Sequence, residues 1–349
     1  MKSFRIADYG QPLQEMDDGT PAPQGAEVLV RITGCGVCHS DVHLWEGFFD
    51  MGGGQQASVA RGHTLPFTLG HEIVGVVEAV GDSASGCQVG DAAVVYPWIG
   101  CGECPACESG LEPSCPRPRN LGVHVNGGYA THVMVPDCRY LYAYGDVPLE
   151  LAATYACSGI TAYGALKKVQ AKAEGRHLLV IGAGGVGLAG LLIAQAMMDT
   201  EIIVADIDDK KLAAAKEAGA AHTVNPTDDG ARKQIMQLTG GGAPAAVDFV
   251  GSDKSAGFGI SALGANGHLV VVGLFGGALN LSVPLLPLKG LTLQGSYVGT
   301  PQEMKELMDL VVAGKVKPLP VATRPLAEAN QTLQDLAHGN IVGRVVLTP

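Results

Sequence analysis

Aromatic residues are scarce in this chain, at 5%, and cationic ones are outnumbered: 23 Lys and Arg stand against 34 Asp and Glu, for a formal charge of −11. A nucleic acid or an anionic membrane needs a clustered cationic surface, and this composition argues against both as partners. Internal repeats and low-complexity tracts are absent as well, which removes repeat architectures. The opening residues, Met1-Lys2-Ser3-Phe4-Arg5-Ile6-Ala7-Asp8, lack the apolar core of a secretory signal. Nine cysteines in 349 residues are too sparse for a disulfide scaffold. A cytoplasmic location is expected, where clustered cysteines more often hold metal. One charge-free run, Leu178 to Met198, is long enough to cross a bilayer. Glycines at 182, 184, 185, 187 and 190 make strand, turn and helix the better reading of it.

At this length, with 47% hydrophobic residues, two globular domains are expected. Up to about residue 150 the texture is short strands broken by Gly and Pro, with Glu27 to Thr33, Ile73 to Val80 and Ala92 to Val95 as strands. Met51 to His63 shows neither helical nor strand periodicity and reads as a surface loop over a site. From about residue 154, apolar runs alternate with Ala-rich helical stretches, the pattern of βαβ units on a parallel sheet. The expected strands there are His177 to Gly182, Glu201 to Asp206, Ala246 to Val250, His268 to Gly273 and Leu291 to Val298. Helices are expected over Lys210 to Ala218 and Gln302 to Ala313, with a final strand at Val345 to Leu347.

Three constellations carry chemistry. Gly182-Ala183-Gly184-Gly185-Val186-Gly187 follows a strand and opens a helix, so its backbone can approach a pyrophosphate at a helix N-terminus. Asp206 follows 24 residues after Gly182, where a carboxylate binds a ribose diol and repels a 2′-phosphate, favouring NAD over NADP. Cys101, Cys104, Cys107 and Cys115 form a C-x2-C-x2-C-x7-C cluster that suits a closed zinc site. An iron–sulfur cluster competes for them, although its bacterial signature has three residues before the last cysteine. Lastly, Cys38 with His39, Ser40, Asp41 and His43, and His71 with Glu72, group a thiol, imidazoles and carboxylates that are costly to bury without a metal. Cys35, Cys87 and Cys138 show no partner pattern and read as core or surface thiols. The remaining histidines, His63 among them, carry no metal-ligand spacing.

Taken in order, Gly36 to His43, Gly70-His71-Glu72, the four-cysteine lobe, Cys157-Ser158-Gly159-Ile160-Thr161, the glycine loop with Asp206, and Gly343-Arg344-Val345 resemble the zinc-dependent medium-chain alcohol dehydrogenases over the whole chain. The resemblance implies a GroES-like β-rich catalytic domain (1–153 and 299–349, with a zinc lobe at about 98–118) and a Rossmann, doubly wound coenzyme domain (154–298). It implies catalytic zinc on Cys38, His71 and Cys157, and structural zinc on Cys101, Cys104, Cys107 and Cys115. Asp41 would orient His71, Glu72 would sit near the metal, and Ser40 would pass a proton through the nicotinamide ribose to His43. NAD would meet His39, Thr161, Gly182, Gly184, Gly185, Val186, Gly187, Asp206, Lys211, Val272, Leu274, Val298 and Arg344, with Phe49 and Trp98 lining the substrate pocket. The implied activity is reversible hydride transfer between an alcohol and NAD in a cytoplasmic homotetramer, with a dimer second. A polyol or other medium-chain zinc dehydrogenase, or a non-catalytic nucleotide-binding protein on the same fold, is the alternative.

Overall fold

The computed structural model describes all 349 residues, the side chain of Arg61 excepted. Among the described residues the strands form four sheets. The run that hydropathy alone would place in a bilayer is instead the strand Arg176–Ile181, the turn at Gly182 and the helix Gly185–Met197. Among the described residues no helix is long and apolar enough to cross a membrane.

That strand lies inside a six-stranded parallel sheet, ordered His222–Val224, Thr200–Ala205, Arg176–Ile181, Ala243–Asp248, Leu263–Val271, Thr292–Gly295. Its side chains alternate between two buried layers. Leu178, Val180, Ile202 and Val204 join the larger core, while Leu179, Ile181, Ile203 and Ala205 pack in a second cluster across the sheet. Burial on both faces explains why these strands read as unbroken apolar runs. Strand order reverses between Arg176–Ile181 and Ala243–Asp248, which opens a crevice at their carboxyl ends.

The second large sheet has seven strands and is mainly antiparallel. Val28–Gly36 lies at its centre, paired with Glu72–Val80, with His132–Val135 and, antiparallel, with Arg344–Thr348 from the far end of the chain. The helix Pro301–Val312 starts with a capping box between Thr300 and Glu303 and a proline in its first turn, so its N-terminal N–H groups are satisfied locally.

Two sequence expectations need correction. Met51 to His63 is not a plain loop: Phe48–Gly52 and Gln55–Ser58 pair as an antiparallel hairpin turning at Gly53 and Gly54. The second strand is fully exposed, so no buried alternation marks it. A cavity of about 510 Å³ lies between this hairpin and Asp253, Gly277 and Ala278, with no cysteine in its lining.

Cys87 and Cys138 are joined in a disulfide, with Cα atoms 5.6 Å apart across 51 residues of sequence. Neither cysteine has a local spacing that could have revealed it, because only the folded sheet brings them together. Thiol titration of metal-free, denatured protein should find seven reactive thiols before reduction and nine after. Cys87→Ser should lower unfolding stability by about 4 kcal/mol, the loop-closure entropy of that separation, as read by chemical denaturation. Nine thiols before reduction would show that the bond does not form in solution.

Candidate active site

Cys38, His71 and Cys157 arrive from three separate elements. Cys38 caps the helix His39–Glu46, His71 precedes the strand Glu72–Val80, and Cys157 sits in a single π-turn, Tyr155–Gly159, ahead of the helix Ile160–Ala173. One ligand atom from each lies within 4.8 Å of the others, and all three residues are buried. The two sulfurs are 3.9 Å apart. Hydrogen bonding with Cys157 holds the Cys38 thiol well below its ordinary range against the cost of burial, and His71 adds to the effect.

Asp41, fully buried, organises this centre. Its carboxylate accepts hydrogen bonds from Cys38 N (2.9 Å), Gly70 N (3.2 Å) and the Tyr129 hydroxyl (3.1 Å), and one oxygen lies 3.2 Å from His71 Nδ1. Burial disfavours charge on His71, but Asp41 outweighs it and keeps the imidazole well above its usual range. With Nδ1 facing Asp41, the other ring nitrogen, Nε2, is buried and without a partner. Two sulfurs and one such nitrogen fit a zinc ion that keeps a fourth position open.

Glu72, also fully buried, pairs with the Arg344 guanidinium and accepts from Ser158 N at 3.2 Å. Burial raises its carboxyl above the usual range, and Arg344 works against that rise. The stem of Arg344 reaches the glycine loop, where a Cβ on Gly185 would collide with it. Gly187 is needed for a similar reason, since a side chain there would strike the Gly182 carbonyl, whereas a Cβ at Gly184 would meet nothing within 4 Å. That open space above a helix N-terminus fits a diphosphate. Asp206 accepts from Ala183 N (2.6 Å) and Asp208 N (2.9 Å), which fixes its carboxylate beside the loop.

The other predicted residues are distributed around these two centres. Ser40 Oγ lies 3.9 Å from Cys38 Sγ. His43 is one turn further on, its ring 5.5 Å from His39 and 5.2 Å from Phe49. Burial and the neighbouring His39 hold the His43 imidazole below its ordinary range. Trp98 donates to the Ala156 carbonyl at 3.0 Å and stands between His71 and Tyr297, 5.3 and 5.7 Å from their rings. Phe49 and Trp98 thus touch different partners. Thr161 Oγ1 is buried and unpartnered, Val298 is buried, Lys211 and Val272 are half-buried, and His39 and Leu274 are exposed. Asp41 and Glu72 are bound more tightly than their sequence neighbours suggested. Tyr129 and the π-turn escaped the sequence reading because neither has a local pattern.

Cys101, Cys104, Cys107 and Cys115 also gather within 4.8 Å. Backbone N–H groups of Cys101 and Arg117 donate to Cys115 Sγ at 3.2 and 3.3 Å. Cys101 is brought down to about 6 by a hydrogen bond from the Glu103 backbone, while burial pushes Cys107 up to about 12. Four sulfurs with N–H donors fit a closed tetrahedral zinc site. The two donor sets and the glycine loop correspond to two zinc ions and NAD.

Two family models match the chain, an alcohol dehydrogenase GroES-like domain over residues 24–145 and a zinc-binding dehydrogenase domain over 185–313. An NAD-dependent alcohol dehydrogenase of Sulfurisphaera tokodaii is 40% identical, with all of both chains covered. The chain belongs to the zinc-dependent medium-chain alcohol dehydrogenases. Another member of that family, the NAD-dependent alcohol dehydrogenase of Saccharolobus solfataricus, is 38% identical, again over the whole of both chains. The crystal structure of the alcohol dehydrogenase from Aeropyrum pernix superposes with a TM-score of 0.89, at 34% identity and full coverage of both chains.

Proposed function

We propose that this protein is an NAD-dependent zinc alcohol dehydrogenase, interconverting primary or secondary alcohols, aromatic ones included, with aldehydes or ketones. The observation that carries the reading is the bridge made by Arg344: one side chain meets Glu72 behind the three-ligand centre and Gly185 in the dinucleotide loop, so the two sites adjoin. The assignment of roles follows. Cys38, His71 and Cys157 hold the catalytic zinc, and the four-cysteine lobe holds the structural one.

Zinc, when bound, supplies Lewis acidity toward an alcohol or carbonyl oxygen, and NAD supplies the hydride acceptor. The chain's own residues position the reactants and move the proton. Ser40 binds the substrate hydroxyl and takes its proton. His43, on the same helix and with its imidazole held below the ordinary range by burial and His39, receives that proton near the surface. Asp41 locks His71 and Cys38 in orientation, while Trp98 and Phe49 keep water from the reacting carbon. Arg344 and His39 face the diphosphate, Asp206 and Lys211 the adenosine ribose, and Thr161, Val272, Leu274 and Val298 the nicotinamide end.

On this reading residues 1–153 and 299–349 form the catalytic domain and 154–298 the coenzyme domain, in a cytoplasmic homotetramer, with a dimer as the second choice. Support for association comes from the strand Thr292–Gly295, an unpaired edge of the parallel sheet. The deciding experiment follows NADH formation at 340 nm with short aliphatic, secondary and benzylic alcohols, repeated with NADP and after chelation. Turnover with NAD that chelation abolishes and zinc restores is the expected result. A protein that contains zinc and binds NADH yet oxidises none of them would overturn the reading.

A further inference from the structure

Among the described residues the buried carboxylates are Asp41, Glu72, Asp248 and Glu112. Asp41 and Glu72 serve the three-ligand centre, and Asp248 closes the turn after its own strand by accepting from Val250 N and Gly251 N. Glu112, 4% exposed, lies apart from both, inside the four-cysteine lobe. A carboxylate is costly to bury unless its oxygens find donors, so the partners of Glu112 show what it holds.

One oxygen makes both of its buried hydrogen bonds. Oε2 accepts from the Gly100 N–H at 2.9 Å and from the Tyr140 hydroxyl at 2.8 Å. The other oxygen, Oε1, faces the Arg139 guanidinium at 3.3 Å, but that side chain is 56% exposed and water weakens such a pair. Tyr140, by contrast, is buried and fixed to the catalytic sheet: its carbonyl accepts from Tyr96 N at 2.8 Å, its ring stacks on Tyr96 at 6.2 Å, and the next residue, Leu141, pairs with Val95. The turn that carries it is pinned too, because Asp137 accepts from Arg139 N at 2.9 Å and Cys138 is bonded to Cys87.

On the lobe side, Gly100 lies against the sulfurs, where a Cβ would collide with Cys107 Sγ. Holding its N–H also holds the next peptide, and Cys101 N donates to Cys115 Sγ at 3.2 Å. Glu112 itself opens the short turn Glu112–Ser114 that leads into Cys115, and Cys115 N donates to Glu112 O at 3.0 Å. A single carboxylate oxygen therefore fixes the two segments that bring Cys101 and Cys115 to the cluster, and fixes both to the sheet. The lobe's other ion pair, Arg117 with Glu103 at 2.7 Å, joins two exposed side chains within the lobe and gives no such anchor.

We propose that Glu112 is the positioning residue of the lobe zinc: through Gly100 N and the Tyr140 hydroxyl it seats the four-cysteine lobe on the catalytic sheet and sets how long the metal is retained. This role rests on the zinc assignment of the lobe. Glu112 supplies no ligand atom and acts through the peptides that present Cys101 and Cys115, as groups behind a metal's ligands do elsewhere.

The test measures how fast the lobe loses its zinc. The full-length, zinc-loaded enzyme is exposed to excess EDTA together with a thiol-alkylating reagent, and peptide mass spectrometry follows Cys101, Cys104, Cys107 and Cys115 separately from Cys38 and Cys157. Glu112→Leu removes both hydrogen bonds and should expose the lobe thiols about tenfold faster, with the rates at Cys38 and Cys157 unchanged. Glu112→Gln keeps a carbonyl oxygen that accepts from both donors, and its lobe should stay within about twofold of wild type. Tyr140→Phe removes one of the two bonds and should raise the lobe rate about threefold; it decides alone if Glu112→Leu does not fold. A lobe rate unchanged in Tyr140→Phe, a Gln variant as labile as the Leu variant, or equal acceleration at Cys38 and Cys157 would overturn the role, the last by marking a general loosening of the fold. Wild-type lobe thiols that react at once without chelator would instead strike the zinc assignment, and the role of Glu112 would fall with it.

Discussion

Cys157→Ala should leave one zinc per chain instead of two and reduce kcat/KM by about three orders of magnitude. The loss is selective because the two donor sets share no residue and are built differently. Cys157 belongs to a three-ligand set completed by residues from two other elements, whereas the lobe cysteines lie within fifteen residues of one another and bring their own N–H donors. Removing one of three ligands leaves two, too few to hold the ion against chelators, while the four-sulfur site keeps its full complement. Metal analysis after dialysis and steady-state kinetics on the same preparation provide the check. Normal turnover, or loss of both ions together, would show that Cys157 is not a ligand of an independent site.

The second large effect concerns stability. Arg344→Met strands the Glu72 carboxylate, fully buried, without its counter-charge, at a cost of about 3–5 kcal/mol. Its pH dependence has a definite sign. Burial already raises the Glu72 carboxyl, and removing Arg344 takes away the neighbour that opposed the rise. A carboxyl with a raised folded-state pKa contributes stability fully below its unfolded value and loses it as pH climbs through the folded one. The deficit of the variant should therefore widen between pH 5 and pH 8 in denaturant titrations. The double variant Glu72→Gln/Arg344→Met should recover most of the loss, because it removes both charges together. A double variant less stable than Arg344→Met would contradict a direct pairing.

The legibility of this molecule in its sequence followed the range of the interactions. Strand-turn-helix at residues 176–197 could be read because the apolar strand, the glycine turn and the apolar helix are contiguous. The four lobe cysteines could be read for the same reason. Strand limits drifted by a few residues, as at Leu291 to Val298, where only Thr292–Gly295 pairs in the sheet. The hairpin after Phe48 was hidden because its second strand buries nothing, so the alternation that marks a half-buried strand is missing. Long-range partners were hidden altogether. Cys87 meets Cys138 and Arg344 meets Glu72 only through the folding of sheets that no local spacing encodes. For Cys38, His71 and Cys157, grouping in sequence alone could not be decisive; it took the resemblance to bring the third ligand in.

At the hairpin tip, backbone meets backbone. A Cβ on Gly52 would run into the Gly277 carbonyl carbon, and one on Gly276 would press on Asp50, whereas Gly53 and Gly54 have nothing within 4 Å of such an atom. The gap between the hairpin and the loop after Leu263–Val271 is consequently set by close backbone approach at Gly52 and by Asp50 against Gly276. Positions 53 and 54 have open space, yet their left-handed backbone still holds them to glycine, and any residue larger than glycine at 52 would wedge the two surfaces apart.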